Sequence, residues 1–135
     1  MWRPTIEDVD DILDGLASAT GEAPPTFTYL GPQGRALVES ALASAFHTFG
    51  RKDLHATTFD KAAAMFRSLV SNHGLVDGNK RLAVTLLFTF LEKNEYRLRA
   101  KDNDMLRVTL AASSGGLTVP QLSAWIAQHA VATRP

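Results

Sequence analysis

Apolar side chains recur along this chain mostly at steps of three and four, the spacing of one face of an α-helix. Ile6, Val9, Leu13 and Leu16 form the first stripe. It follows Thr5, whose hydroxyl can cap a helix, and Asp8 stands three positions on, where a capping box takes its acid. Leu37, Val38, Ala41, Leu42, Ala45, Phe46 and Phe49 form a second stripe. Thr57 or Thr58 opens a third, read through Phe59, Ala62, Phe66 and Leu69, and the next step lands on His73. A fourth helix is predicted from about Asn79 to Lys93. Leu82, Ala83, Val84, Leu86, Leu87, Phe88, Phe90 and Leu91 make it apolar nearly all round, so it belongs in the centre of the molecule. Asp102 or Asn103 caps a fifth helix that stops at Gly115–Gly116. Thr118 with Gln121 forms a capping box for a sixth, whose face is Leu122, Trp125, Ile126 and His129.

Turn-forming residues cluster between these stripes, at Gly21–Pro32, Gly50–Asp53, Gly74–Gly78 and Asn94–Asp104. Arg97–Ala100 alternates and reads as a short extended piece. No other alternation suggests strands, so the chain reads as an all-α, six-helix bundle around a buried central helix. Its 135 residues suit one domain spanning residues 1–135.

Charge and composition narrow the function. There are 14 basic and 14 acidic residues, and that balance argues against wholesale binding to nucleic acid or to an anionic membrane. Cysteine is absent, which removes disulfides, thiolate nucleophiles and zinc–cysteine sites and fits a reducing, cytoplasmic setting. The N-terminus leads into an acidic stretch without the apolar core of a signal peptide. The longest strongly apolar stretch, Leu82–Leu91, falls far short of the ~20 residues a spanning helix needs.

The chemistry is concentrated in His73-Gly74-Leu75-Val76-Asp77-Gly78-Asn79-Lys80-Arg81. The backbone N–H groups near Gly78–Arg81 would stand at the start of the fourth helix. Such groups are unpaired donors at the positive end of a helix dipole, a ready site for an anion. Lys80 adds a point charge and Arg81 a fork that grips phosphate bidentately. Asp77, one acid amid positive charge, suits a Mg²⁺ ion that keeps several waters and needs only one or two protein carboxylates. A neutral His73 imidazole is a base able to take the proton of an incoming hydroxyl. Each residue also has a plain reading: a packed core histidine, a helix-start turn, two solvated cations. Their conjunction within nine residues points instead to phosphoryl or nucleotidyl transfer, which needs little beyond positioning and electrostatics.

The same nine residues resemble the motif of the Fic/Doc superfamily. That motif runs His, any residue, Phe, any residue, Asp or Glu, Gly or Ala, Asn, Gly or Lys, Arg. Lys80 stands where Fic proteins carry a second glycine, so the resemblance is to the Doc (death-on-curing) branch. Gly31–Arg35, Lys61–Ala64, Ser68–Asn72 and the buried fourth helix are similar to the family too. The resemblance implies a toxin of a toxin–antitoxin pair that transfers the γ-phosphate of ATP to a threonine of elongation factor Tu, stopping translation. It implies a small Phd-like antitoxin whose C-terminal segment covers a groove near the active site. By the same resemblance His73 is the catalytic base and Asp77 the Mg²⁺ ligand. Gly78, Asn79, Lys80 and Arg81 hold the phosphates. Fic proteins instead transfer AMP, and a fold kept only for binding a partner is a further alternative.

Three positions depart from the family pattern. Leu75 replaces a phenylalanine that anchors the loop, so a looser loop is expected. Leu82 stands where many relatives have threonine, and Gly74 replaces a residue that is often proline. Gly50–Thr57 lies where relatives carry a flap that aligns the target, or it is an ordinary connector. Ser18–Ala23 nearly matches the inhibitory pattern of some Fic proteins but reads as loop, which leaves inhibition to a separate antitoxin. His47, His55 and His129 are too scattered for a metal site.

Overall fold

The computed structural model describes residues 1–134. The expected domain of residues 1–135 therefore ends on Pro135, which lies outside the described residues. Among those described, six helices dominate: α1 (Ile6–Thr20), α2 (Gly31–Ser44), α3 (Thr58–Asn72), α4 (Asn79–Lys93), α5 (Asp102–Ser113) and α6 (Val119–His129). The all-α expectation holds. Two small antiparallel ribbons accompany the helices. β1 (Thr48–Phe49) pairs with β2 (Lys52–Asp53) between α2 and α3. β3 (Tyr96–Leu98) pairs with β4 (Ala130–Ala132), so the segment after α6 is tied to the turn after α4.

Threonine sets three of the six helix starts. Thr5, Thr57 and Thr118 each accept a hydrogen bond from the N–H of the third helical residue, and the side-chain oxygens of Asp8, Asp60 and Gln121 accept one from the cap's own N–H. A reciprocal pair of this kind satisfies two donors that a helix end leaves free. The start of α5 differs from expectation. Lys101 is its cap, without a side-chain bond, and Asp102 is the first helical residue. Asp102 and Asp104 therefore help as charges on the helix dipole rather than as caps.

The hub of the core is α3, which packs against α2, α4, α5 and α6. Every residue from Lys61 to Phe66 is buried. The fourth helix, expected at the centre, buries Leu82, Ala83, Leu86, Leu87, Phe90 and Leu91 but keeps Val84 and Phe88 partly accessible. Runs of alanine let α3 take the innermost place, because small side chains allow neighbouring backbones to approach from several sides.

The second stripe overran its helix. α2 ends at Ser44, and Phe49 sits in β1 with 84% of its surface exposed. The hairpin is held from below by the buried Lys61. Its ammonium pairs with Asp53 at 3.2 Å and donates to the carbonyl of His55. A buried ammonium is stable only with such partners.

Candidate active site at the α3–α4 junction

The left-handed backbone of His73 (φ 50°, ψ 47°) ends α3. That conformation closes a helix, and it also breaks the stripe. The step that would have put the ring in the core fails, and His73 is exposed on the wall of a cavity. α4 begins six residues later with Gly78 as its cap, again left-handed at φ 95°. A Cβ there would lie 2.6 Å from the ring of Phe27, so only glycine fits. Gly74 is equally constrained, since its Cβ would lie 2.7 Å from both the Gly34 carbonyl and the Val38 side chain. The departure at Gly74 thus has a steric cause.

A second segment splints the loop. Phe27 donates its N–H to the Asp77 carbonyl at 3.0 Å, Val76 donates to Thr28 at 2.9 Å, and Leu30 donates to Gly74 at 2.8 Å. Thr26 and Tyr29 form isolated bridges with Asp77 and Leu75. The splint is anchored in turn. The Tyr29 hydroxyl donates to Asp10 at 2.7 Å, and Arg35 donates to the other oxygen of that carboxylate at 3.0 Å. The Tyr29 bond, aided by Arg35, holds the Asp10 carboxyl below its usual range, while burial and then the Asp10 bond push the Tyr29 phenol up.

Of the two readings of Gly50–Thr57, a target-aligning flap or an ordinary connector, the position of the hairpin favours the connector. The hairpin stands at the start of α3 and His73 at its end. A helix of 15 residues separates them by roughly 22 Å. The segment that lies against the loop is Thr26–Leu30, read from sequence only as part of a connector.

All six residues proposed for the site line one cavity of about 480 Å³: His73, Asp77, Gly78, Asn79, Lys80 and Arg81. Their roles are not equal. The side-chain amide of Asn79 donates to the Leu75 carbonyl and accepts from the Leu75 N–H, both at 2.9 Å. That side chain holds the loop, so what Asn79 offers an anion is its backbone N–H. The same staple answers the concern over Leu75, which is 2% exposed and fills its place in the core. Leu82 is likewise buried, in the body of α4.

The helix start carries the anion-binding capacity. Gly78 makes no side-chain cap, and its own N–H is taken by Asp77 Oδ1 at 2.9 Å. The Leu82 N–H donates to the Gly78 carbonyl at 2.9 Å. The N–H groups of Asn79, Lys80 and Arg81 precede that first full turn and have no acceptor within the helix. No acid stands in this first turn, and Lys80 and Arg81 are both exposed.

Three further residues line the cavity: Glu22, Thr26 and Val76. Arg81 donates to Glu22 at 2.7 Å. The Ser18–Ala23 stretch is thus not all loop. α1 runs through Thr20, Gly21 caps it, and Glu22 reaches across to the site. Sequence periodicity could not show this, because the partners are 59 residues apart. The remaining histidines stand elsewhere. His129 stacks on Trp125 at 4.1 Å, and His47 and His55 flank the hairpin.

A metal cage built by protein alone is not found among the described residues, for no three His, Cys, Asp or Glu side chains are grouped to hold an ion. Asp77 is exposed with one oxygen engaged. That donor set fits Mg²⁺, which accepts one carboxylate and completes its shell with water and phosphate oxygens.

Comparison with known proteins gives the chain a family. The model of the Fic/DOC family matches residues 4–91. Toxin Doc of Mycolicibacterium smegmatis (strain ATCC 700084 / mc(2)155) is 44% identical over 64 residues, covering 47% of this chain and 49% of that protein. The chain thus aligns with about half the length of this relative. No helix among the described residues is long and apolar enough to cross a membrane. The family match takes in well over half of the chain, from the cap of α1 to the body of α4, including both the splint and the loop it holds. The chain belongs to the Fic/DOC family.

Proposed function

We propose that this protein is a Doc-like toxin that transfers the γ-phosphate of ATP to a threonine or serine hydroxyl of a translation factor. Elongation factor Tu is the target by resemblance to Doc proteins, and a small Phd-like antitoxin neutralises the toxin in the cytoplasm. The observation that carries the reading is the shared cavity. The His73 imidazole and the free N–H donors of α4, flanked by Lys80 and Arg81, open onto the same space. The likeness to a protein named Toxin Doc supports the toxin role.

The chain's own groups suffice for the binding and proton steps. Backbone N–H groups of Asn79–Arg81 hold phosphate oxygens at the helix start, and Lys80 and Arg81 neutralise their charge. Arg81 must leave Glu22 to do so. His73 takes the proton of the target hydroxyl as its oxygen attacks the γ-phosphorus. The bond from that phosphorus to the β,γ-bridging oxygen breaks, and ADP departs with the electron pair. Asp77 is the residue that would hold Mg²⁺, which when bound supplies charge neutralisation along the phosphates.

Parallel incubations with ATP labelled at the γ or the α position test the reading. Label from the γ position should appear on the target protein, and His73→Ala should lower the rate about 10²- to 10⁴-fold, the usual contribution of a general base. Because His73 is exposed, the variant should keep its melting temperature. Label from the α position would make the protein an AMP transferase instead.

A further inference from the structure

We infer that the cavity beneath the β1–β2 hairpin binds a small carboxylate with an apolar body. The inference stands apart from the phosphate-binding reading of α4. The cavity, of about 450 Å³, is nearly as large as the 480 Å³ one at His73 and opens at the other end of α3. The helix puts Lys61, on its floor, roughly 18 Å from His73.

The lining offers donors that lack acceptors. Lys61 is only 5% exposed. An ammonium has three N–H donors, and Asp53 and the His55 carbonyl take two of them. The Arg3 guanidinium lies over the Phe46 ring, 4.1 Å from its centroid. It makes no hydrogen bond or ion pair among the described residues. Stacking fixes the plane of an arginine and leaves its donor fork available. The Thr48 hydroxyl has no partner among the described residues either.

The hairpin itself supplies a second, independent sign. Thr48 pairs with Asp53, and Phe49 with Lys52. Residues directly opposite share a face, and successive residues alternate. Thr48 and Asp53 therefore face the cavity they line, while Phe49 is turned to water with 84% of its surface exposed. A hairpin that merely covered the core would turn its apolar side inward. This one turns its polar side inward, over a chamber that the buried ammonium keeps polar.

Charge selects the ligand. Arg3 and Lys61 bring two positive side chains to the cavity and Asp53 one negative, so one further negative charge balances it. A carboxylate supplies that charge and accepts both bonds of an arginine fork. A phosphate dianion brings one charge too many. The Phe46 ring and the side chains of Met1 and Ala56 give the rest of the ligand an apolar wall.

Amide NMR titrations of the full chain with benzoate, inorganic phosphate and inorganic tripolyphosphate test the assignment. Benzoate should saturate with a Kd of about 1 mM or tighter and shift the amides of Arg3, Thr48 and Ala56, and phosphate should bind there at least about fivefold more weakly. Tripolyphosphate should shift Asn79–Arg81 instead and leave bound benzoate in place. Arg3→Gln, at an exposed position, should weaken benzoate about tenfold, the effect of a lost charged hydrogen bond. Thr48→Val, in an exposed strand, should weaken it about twofold or more. No saturation by about 20 mM benzoate, shifts confined to His73–Arg81, or full affinity in Arg3→Gln would each overturn the inference. Phosphate binding as tightly as benzoate would overturn the choice of a carboxylate.

Discussion

The starts of α3 and α4 are built on opposite plans. At α3, Thr57 and Asp60 satisfy each other's backbone donors, and Ser123 donates a further bond to Asp60 at 2.6 Å. That bond lowers the Asp60 pKa, with a smaller contribution from Thr57. At α4, a left-handed glycine supplies no cap, and two cations sit where the helix dipole disfavours them. The first plan spends its donors on stability. The second leaves them for a ligand and accepts a local cost. Other uncapped starts are relieved in different ways. Pro32 removes a donor in the first turn of α2, and Asp102 and Asp104 complement the dipole at α5.

The largest effect should come from the staple beneath the α4 start. Asn79→Ala leaves the buried N–H and carbonyl of Leu75 unpaired, and unfolding in urea should show a loss of about 1–3 kcal/mol. A melting curve identical to the wild type would mean that the loop is held elsewhere. Lys80→Glu should then separate stability from binding. Reversing the charge relieves the dipole by about 0.3–1 kcal/mol yet should weaken tripolyphosphate about tenfold. If affinity were kept, the cation would have no part in the site. At α3 the opposite pattern is expected. Thr57→Ala should cost about 1 kcal/mol of stability and leave phosphate affinity alone. The smallest effect should be at the rim. Glu22→Gln frees Arg81 from a partly exposed, salt-screened pair worth about 0.2–1 kcal/mol, so anion affinity should rise no more than about fivefold. A fall in affinity would show Glu22 aiding the ligand rather than competing with it.

Much of this contrast was legible in the sequence. Thr5, the Thr57–Thr58 pair and Thr118 marked three helix starts because capping is a local event between residues three apart, though only the structure chose Thr57 over Thr58. The fourth start showed differently, through the turn-forming residues Gly74–Gly78 just ahead of the apolar run from Leu82. What stayed hidden depended on distance along the chain. The splint Thr26–Leu30 is made of backbone bonds, which no side-chain pattern encodes, and Glu22 meets Arg81 only through the fold. The stripe through Phe49 misled because helical spacing counts apolar residues whether or not they are buried, and Gly50 and Arg51 supply a turn just beyond it. Asn79 looked like a ligand group because its partner, the Leu75 backbone, is invisible to composition.

The placement of His73 at the tip of α3 makes that helix a ruler with a fixed phase. Its cap at Thr57 is locked and its shaft is buried, so neither end is free to slide. One residue inserted or deleted between Thr58 and Asn72 would swing the imidazole by about 100° and shift it about 1.5 Å. Side-chain exchanges along the shaft are therefore questions of packing, whereas a change in its length would point the base away from the phosphates.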